Sequence, residues 1–389
     1  MCDHRYVTVR ILRIVARMNV GGPAVEISTL MAGLNLSVYE QCLLTGACGP
    51  DEADFLAVHG APWPHRTIPG LGRAVRPLDD LKALWQVMHS IRTFQPDVIH
   101  THTAKAGTLG RVAAMLTRSK AKRVHTYHGH VLHGYFRGWQ TRLIATWEAW
   151  LARHTTALVT VGDEVRRDLL DADIGTPQQY RVIPPGITEQ APPSRTEARR
   201  QLQLPPDAPV VSYVGRLTTI KRPDRLLQTI ALLRQQVPNL LVVVAGGGDL
   251  AEITTRQATE QCLPIRFLGW RPDIATVFAA SDVTVLTSDN EGTPISLIEA
   301  GLCGVPAVAT DVGAVSEVVR HGITGLLVEP EPAALAQALS RILHDPALAE
   351  ALGSKAQISY QDDFSTARFL HRHESLYKDL LTARQSPAT

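Results

Sequence analysis

The chain has 389 residues, of which 45% are hydrophobic and 20% are charged, and its formal net charge is +2. These values are typical of a globular protein with its own core, and they argue against a nucleic-acid-binding protein that relies on positive charge. No run approaches ~18 apolar residues, the five Cys form no Cys-x-x-Cys pair and the N-terminus lacks a signal-peptide pattern. A cytoplasmic protein with reduced thiols is therefore expected.

Charge is distributed unevenly along the chain. Residues 1–188 carry 21 Lys and Arg against 15 Asp and Glu, and they hold 11 of the 15 His. This excess predicts an N-terminal half that faces anionic material.

In the first half, predicted strands alternate with predicted helices. Short apolar runs that end near Gly or His precede stretches with apolar residues at helical spacing. The strands are predicted at residues 9–16, 39–45, 98–100, 123–127 and 157–161, and the helices at 24–34, 78–94, 107–117 and 138–153.

The second half repeats this alternation after a Pro-rich segment, residues 184–193, that we interpret as a linker. A last helix is predicted over about 365–383. Strands that alternate with helices indicate parallel βαβ units, so the fold class is α/β. The strands of this half are predicted at residues 210–214, 240–245, 265–268, 283–286, 307–309 and 325–328.

The most specific pattern is EGTPISLIE, from Glu291 to Glu299, which follows a predicted strand and begins a helix. The free N–H groups and the positive dipole end of that helix suit a phosphate. A Glu before the helix and another about two turns into it can hold two hydroxyl-bearing parts of one ligand. The residues alone leave open the alternative of an exposed capping Glu and a surface Glu.

A second pattern, YVGRLTTIKRP at residues 213–223, again leads from a strand through Gly towards a helix. Arg216 and Lys221 lie just beyond the carboxyl end of the strand, where open α/β sheets bind ligands. Two cations at this point match a diphosphate, and solvated loop charges are the alternative.

A third pattern is the run Gly246-Gly247-Gly248 after the strand at 240–245. Three glycines let a backbone approach a nucleotide closely, although a simple tight turn explains them as well. No complete G-x-G-x-x-G occurs in the chain, which argues against an NAD-dependent oxidoreductase.

Three strand ends in the first half carry Gly or His. They are Gly21-Gly22, the run from His100 to His102, and His128-Gly-His130. The carboxyl ends of parallel strands share one edge of a sheet, so these groups are expected to converge there. A structural role for each His is the competing interpretation. Their spacing matches no zinc motif, so no metal is expected.

In order and spacing, these motifs resemble the retaining GT-B glycosyltransferases of family 4, also called glycosyl transferases group 1, along nearly the whole chain. Residues 100–111 and the Tyr-His-Gly-His run resemble the branch that builds bacterial surface polysaccharides. The resemblance implies two Rossmann-like domains whose parallel sheets face a central cleft. Residues 1–186 form the acceptor-binding domain and 187–364 the nucleotide-sugar-binding domain, and a C-terminal helix in 365–389 packs back on the N-terminal domain.

The resemblance also implies a role for each motif residue. Arg216 and Lys221 bind the donor diphosphate, Glu291 holds sugar hydroxyls and Glu299 binds the ribose. His128 lies near the transferred sugar, and the catalytic candidates are His128, Glu291, Arg216 and Lys221. The remaining donor-binding positions that the resemblance implies are Gly21, Gly22, Gly246, Gly247, Gly248, Trp270, Arg271, Gly292, Thr293, Pro294, Ile295 and Ser296. The chain departs from the family at Gly301, where Ala is usual.

The implied activity is transfer of a sugar from a nucleotide-sugar, with a UDP-sugar expected, to a lipid-linked glycan intermediate or another glycan precursor. It is a retaining hexosyltransferase activity, EC 2.4. The cations and the helix terminus meet the departing diphosphate, so neither a metal nor a cofactor is expected, and the nucleotide-sugar is a co-substrate. A GT-B sugar-nucleotide epimerase or phosphorylase, and a binding subunit without activity, remain alternatives. The sequence does not specify the base, the sugar, the acceptor, the linkage or the oligomeric state.

Basic residues and Trp in the N-terminal half predict a protein that rests on the anionic inner face of a membrane. Arg111 and Arg118 are seven residues apart, which predicts a shared helix face. The alternative is that Trp147 and Trp150 pack in the core. The other residues of this group are Lys120, Lys122, Arg123, Arg137, Trp139, Arg142 and Arg153.

Overall fold

The computed structural model describes residues 8–49, 52–72, 74, 76–129, 138–188 and 191–382, without the side chains of residues 138–140. The chain divides into two compact units. Unit 1 consists of Met1–Gly186 together with Thr366–Thr389, and unit 2 is Ile187–Ser365. Among the described helices, none combines the length and the hydropathy needed to cross a bilayer.

Thirteen strands are found in the described residues. Those of unit 1 are β1 (Val9–Val15), β2 (Tyr39–Thr45), β3 (His65–Thr67), β4 (Val98–His102), β5 (Lys122–Tyr127), β6 (Ala157–Thr160) and β7 (Tyr180–Val182). Those of unit 2 are β8 (Val210–Val214), β9 (Leu241–Ala245), β10 (Ile265–Gly269), β11 (Val283–Leu286), β12 (Ala307–Thr310) and β13 (Gly325–Val328).

Helices connect these strands in the same described residues. The first six are α1 (Gly22–Gly33), α2 (Phe55–His59), α3 (Pro77–Phe94), α4 (Ala104–Leu116), α5 (Gly138–Arg153) and α6 (Asp163–Asp171). Unit 2 contains α7 (Arg195–Gln201), α8 (Pro223–Leu233), α9 (Ala251–Glu260), α10 (Ile274–Ala279), α11 (Ile295–Leu302), α12 (Val315–Val318), α13 (Pro332–His344) and α14 (Pro346–Asp363). The last helix is α15 (Thr366–Thr382), in unit 1.

Both sheets are parallel and doubly wound. The described strands of unit 1 pair in the order β3-β2-β1-β4-β5-β6-β7, and those of unit 2 in the order β10-β9-β8-β11-β12-β13. The order therefore reverses beside β1 in unit 1 and beside β8 in unit 2, and such a switch point opens a crevice at the carboxyl ends of the strands.

Continuous apolar runs account for the central strands. β8 reads VVSYV and β9 reads LVVVA, and both are almost wholly buried because helices cover each face of a parallel sheet. The sequence did not predict the edge strands β3 and β7, which have three residues each. β3 reads HRT and is exposed along its length, so no apolar run marks it.

Helix α15 completes the core of unit 1. Phe369, Leu376 and Tyr377 are buried with Ile11 of β1 and Val98 of β4 in one apolar cluster. The predicted α/β class, with two Rossmann-like parallel sheets and a last helix packed on the N-terminal domain, is confirmed.

The exposed face of α3 differs from what its apolar spacing suggests. Leu81 and Trp85 recur at helical spacing, yet they are 64% and 65% exposed. The buried face is formed by Ala83, Val87 and Ile91. The buried face thus lies beside the row of the largest residues, Leu81 and Trp85, so the spacing of those residues does not reveal it.

For the next helices, one surface prediction is wrong, and so is the alternative that two tryptophans pack in the core. Arg111 does not share an exposed face with Arg118, because its side chain is buried and forms an ion pair of 2.7 Å with Glu148. Trp147 and Trp150 are not core residues, since they are 44% and 38% exposed. Arg137 and the side chain of Trp139 lie outside the described residues.

Candidate functional site

The motif residues of unit 2 follow β8 and β11, the two strands that flank its switch point. β8 leads through Gly215 into the loop that carries Arg216 and Lys221, and β11 leads through Ser288 to Glu291. The sequence motifs are therefore brought to one edge of the sheet, where doubly wound sheets bind ligands.

Lys221 and Glu291 are in direct contact. Lys221 Nζ lies 2.5 Å from Glu291 Oε1, and Ser288 Oγ donates to the same oxygen at 2.5 Å. Glu291 is buried, so the alternative of an exposed capping Glu is wrong. A buried carboxylate that accepts two hydrogen bonds is held in one orientation.

Residues far along the chain also hold the backbone of Glu291. Ala314 N–H donates to the carbonyl oxygen of Glu291 at 3.0 Å. Gly313 has φ +52°, and a Cβ there would lie 2.3 Å from that same oxygen. No sequence pattern marks Ser288, Gly313 and Ala314, because only the fold brings the loop after β12 to β11.

Arg216 has no charged partner of its own in the described part of the chain. Its half-buried guanidinium makes no hydrogen bond or ion pair there. Beside it, Thr218 Oγ1 is buried without a hydrogen-bond partner in the same described residues. The hydroxyl of the buried Tyr213 lies 3.2 Å from the carbonyl oxygen of Arg216, and the pKa of Tyr213 is raised by burial and further by the charge of Glu291.

Helix α11 begins after Pro294, which occupies the cap position with extended backbone. The N–H groups of Ile295 and Ser296 belong to the first turn, where no intrahelical partner exists. Their helix starts four residues after Glu291, so its positive end lies in the same loop as the Lys221–Glu291 pair.

Glu299 differs from Glu291 in its surroundings. Its carboxylate accepts no hydrogen bond from the described residues, and burial raises its pKa from 4.5 to about 7. On the same helix, Gly301 is explained by packing, since a Cβ there would lie 2.3 Å from the ring of Tyr360. Glu299 therefore has hydrogen-bonding capacity that a ligand can satisfy.

The glycine run packs against neighbouring protein backbone. Gly246 has φ +137°, and a Cβ there would lie 2.0 Å from the carbonyl oxygen of Gly215. Gly247 lies under the indole of Trp270, with 2.6 Å between an ideal Cβ and Nε1. The structure thus brings Gly246, Gly247, Gly248 and Trp270 together. The tight-turn interpretation explains Gly246, because a side chain there would meet the backbone of Gly215. Arg271 instead pairs with Asp273.

A cluster of charges holds the two loops together. Asp289 accepts from Arg222 at 3.0 Å and from Arg225 at 2.7 Å. Thr287 Oγ1 donates to the carbonyl oxygen of Lys221 at 2.9 Å. Arg222 has a left-handed backbone, with φ 52°, immediately before α8. These contacts position Lys221, and no pattern in the sequence predicts them.

In unit 1, Gly21 is the cap of α1 and Gly22 its first residue. His128, after β5, lies 3.4 Å from Glu26 of α1 and 3.0 Å from His102 of β4. The expected convergence at this edge therefore includes His102 and His128, together with Glu26, which sequence reasoning missed. His130 lies outside the described residues.

The arrangement in unit 2 suits an anionic ligand. It combines the unpaired Arg216, the Lys221–Glu291 pair and a helix N-terminus, and cations with a helix end stabilise a leaving diphosphate. Among the residues that the structure covers, no three His, Cys, Asp or Glu are grouped as a metal site requires.

Two family models match the chain. The model "Glycosyl transferases group 1" matches residues 194–358, and "Glycosyl transferase 4-like domain" matches residues 21–186. The UDP-Gal:alpha-D-GlcNAc-diphosphoundecaprenol alpha-1,3-galactosyltransferase of Escherichia coli is 27% identical, over 81% of this chain and 83% of that protein. A D-inositol 3-phosphate glycosyltransferase of Corynebacterium jeikeium is 31% identical, over 73% of this chain and 72% of that protein.

Solved structures share the architecture. Anabaena Alr3699/HepE in complex with UDP and glucose is similar with a TM-score of 0.81 at 22% identity, over 95% of this chain and 100% of that one. Sucrose-phosphate synthase from Thermosynechococcus elongatus is similar with the same TM-score of 0.81 at 24% identity, over 96% and 100%. At these identities the likeness concerns the fold.

Proposed function

The chain belongs to the glycosyl transferases group 1, and from that premise we propose that it moves a sugar from a UDP-sugar to a lipid-linked glycan intermediate, with retention and without a metal. The observation that carries the proposal is the half-buried Arg216 without a counter-ion, beside Lys221 and the start of α11. A guanidinium that has no carboxylate partner, in the crevice at the carboxyl ends of the strands, can bind an anionic ligand.

Each group has a distinct part in the proposed reaction. Arg216 and Lys221 bind the diphosphate, and the backbone N–H groups of Thr293, Ile295 and Ser296 cradle its distal phosphate. Glu291, oriented by Lys221, accepts hydrogen bonds from hydroxyls of the sugar. Glu299 accepts from the ribose, which supplies the partners that this carboxylate lacks in the protein. Negative charge that develops on the diphosphate meets cations already in place, which lowers the barrier to its departure.

The choice of UDP and of a lipid-linked acceptor rests on the relatives. The name of the E. coli relative includes UDP-Gal and a diphosphoundecaprenol acceptor, and Alr3699/HepE was solved with UDP and glucose. Trp270 above Gly247 offers an aromatic face at the glycine turn on which the base can stack. Retention rests on the resemblance to the retaining family, and the cationic groups support catalysis without a metal.

The epimerase and phosphorylase alternatives are less well supported. Both share the GT-B architecture, but the two sequence relatives compared above are named as glycosyltransferases. Nothing at the Lys221–Glu291 pair distinguishes them, so the distinction depends on the product.

We propose that the enzyme binds the inner face of the membrane through a tryptophan patch, defined as Leu143, Trp147 and Trp150 of α5. The two indoles stack with 5.0 Å between ring centroids, and Leu143 is 62% exposed. Trp147 Nε1 lies 3.4 Å from Thr108 Oγ1, so the patch adjoins α4. Exposed basic residues lie on the same helix and after the neighbouring one, namely Arg142 and Arg153 on α5, and Arg118 and Lys120 after α4.

The direct test is product analysis with a UDP-sugar and a short-chain polyprenyl-diphosphate-linked sugar in the presence of EDTA. The proposal expects a glycosylated lipid whose new linkage keeps the anomeric configuration of the donor, measured by NMR. Interconversion of nucleotide-sugars without transfer would identify an epimerase. An inverted product, or an activity that requires Mn²⁺ or Mg²⁺, would contradict the retaining, metal-independent mechanism.

A further inference from the structure

Four side chains of unit 1 form a continuous row on one face of the sheet. Side chains alternate along a strand, so His100 and His102 of β4 point to the same face. Their rings stack with 4.3 Å between centroids, and His102 and His128 stack at 5.2 Å. Glu26 of α1 ends the row beside His128.

Arg13 determines the proton position on the first histidine. Its Nη1 lies 3.0 Å from His100 Nδ1, and a guanidinium only donates, so this Nδ1 accepts. The proton of His100 is therefore on Nε2, which donates to Thr126 Oγ1 at 2.7 Å. Burial, followed by the charge of Arg13, lowers the pKa of His100 well below 6.5, so the ring is neutral.

The proton positions on His102 and His128 follow from their partners. Burial, with smaller effects of His100, His128, Arg13 and His125, lowers the pKa of His102 well below 6.5, so this ring is neutral too. His102 Nδ1 lies 3.0 Å from His128 Nε2, and one of the two must donate. A proton on His128 Nδ1 faces the carboxylate of Glu26 favourably, whereas a lone pair there would repel it. His102 Nδ1–H therefore donates to His128 Nε2.

At the Glu26 end of this row one donor and one acceptor remain unsatisfied, and behind them His102 Nε2 is also buried without a partner in the described residues. His128 Nδ1 and Glu26 Oε2 are 3.4 Å apart, longer than a normal N–H···O hydrogen bond. His128 Nδ1 is buried without a hydrogen-bond partner in the described residues, and the Glu26 carboxylate accepts no hydrogen bond there. A hydroxyl group satisfies both, because it accepts from Nδ1–H and donates to the carboxylate.

We propose that Glu26 and His128 together bind one hydroxyl group of a sugar substrate, and that His102 is a positioning residue that fixes the proton on His128. This inference rests on the proposed function, since it takes a sugar as the ligand. The pair lies beside the Gly21–Gly22 turn at the carboxyl edge of the sheet, within one unit of the fold. A substrate that lacks the hydroxyl leaves the donor and the acceptor unpaired and is discriminated against.

Replacing the carboxylate tests the binding pair. Glu26→Ala is expected to leave the affinity for UDP unchanged, because UDP carries no transferred sugar. It is expected to lower kcat/KM about tenfold or more for the sugar substrate that carries the hydroxyl, because a hydrogen bond to a charged group is lost. If the variant releases UDP more slowly from the UDP-sugar in an assay without acceptor, the hydroxyl belongs to the donor sugar. A loss seen only as a raised KM for the polyprenyl-linked acceptor assigns it to the acceptor. Wild-type values in both assays would overturn the proposal.

Two variants of His102 separate positioning from simple packing. The amide of Asn reaches the place of Nδ1, whereas that of Gln reaches the place of Nε2. His102→Asn is therefore expected to keep most of the wild-type kcat and His102→Gln to lose about tenfold. His125→Asn is the matched control, since His125 is equally buried but lies on the opposite face, bonded to Thr101 and against Gly107 of α4. Equal losses in the Asn and Gln variants of His102 would contradict the positioning role.

The proton positions can be measured without any variant. In uniformly ¹⁵N-labelled wild-type protein, the imidazole shifts are expected to show the proton on Nδ1 of His128 and Nδ1 of His102, and on Nε2 of His100. A proton on Nε2 of His128 overturns the inference. Failure of the proposed function has another signature, because the wild type would then neither bind UDP nor release it from a UDP-sugar.

Discussion

The two carboxylates of the E-x7-E pattern are chemically different residues. Glu291 accepts hydrogen bonds from Lys221 and Ser288, whereas Glu299 accepts none from the described part of the chain and its pKa is raised to about 7. The spacing predicts that both lie near one ligand. It does not predict this difference, because the surroundings come from loops that are distant in sequence, such as the one containing Ala314.

The first prediction concerns the donor site. Lys221→Ala removes a cation and leaves Glu291 buried without that partner, and Glu299→Ala removes the unsatisfied carboxylate. Each is expected to lower kcat/KM for the donor at least about tenfold, or ~1.4 kcal/mol. Steady-state kinetics provide the measurement, and the exposed Lys355→Ala on α14 is the control. Wild-type activity in both variants would contradict the assigned site.

The second prediction links Glu299 to stability. Its pKa is raised in the folded state, so the protonated form is favoured there, and stability falls as pH rises from 4.5 through about 7. Glu299→Gln removes this cost of up to ~3 kcal/mol. The variant should match the wild type below pH 4.5 and melt at a higher temperature above pH 7.

Calorimetric melting curves across this pH range provide the measurement. Glu350→Gln, at an exposed position on α14, is the matched control and should show no such dependence. A difference between Glu299→Gln and wild type that is constant with pH would rule out the assigned burial effect.

At the scale of elements, the loops after β8, β9 and β11 are in contact with one another. Asp289 bridges Arg222 and Arg225, and Gly246 meets the carbonyl oxygen of Gly215. Alternation of apolar runs with helical spacing predicted the strands that precede these loops. It did not predict the bridging contacts, since a charge pattern does not say which loops become neighbours.

The third prediction tests this packing. Gly246→Ala forces a left-handed backbone on Ala and a contact of 2.0 Å, so it is expected to destabilise unit 2 by about 2–4 kcal/mol. Gly215→Ala, in the facing turn, meets nothing closer than 3.6 Å and should cost about 1 kcal/mol or less. Chemical denaturation of both variants measures the difference. Equal stabilities of the two variants would show that the turn does not require Gly246, and that a ligand is the better explanation for this glycine.

At the scale of the whole molecule, both units use the doubly wound order with a switch point beside the first strand. The sequence predicted the α/β class from alternation, and the returning helix α15 from the family resemblance. The exposed faces were harder to predict, because Ala83 and Val87 belong to the buried face of α3 while the larger Trp85 is exposed.

The fourth prediction concerns the tryptophan patch of unit 1. Stacked, exposed indoles among basic residues are typical of a surface that enters a lipid interface, and each basic residue adds about 1 kcal/mol near anionic lipid. The protein is expected to sediment with anionic liposomes at low salt, less at high salt, and less still as Trp147→Ala. Trp270→Ala, an exposed Trp of unit 2, is the matched control. Equal, negligible binding to anionic and neutral liposomes would contradict surface docking.

The central claim is that a nucleotide-sugar is held by the loops after β8 and β11. Its most direct test is calorimetric titration of UDP, and of the UDP-sugar that the enzyme uses, into the wild type and Arg216→Met in the presence of EDTA. Met keeps an apolar stem but removes the guanidinium that lacks a counter-ion. The account predicts metal-free binding of both ligands to the wild type and at least about tenfold weaker binding to the variant. Binding that is unchanged in Arg216→Met, or no binding of the nucleotide to the wild type, would contradict it.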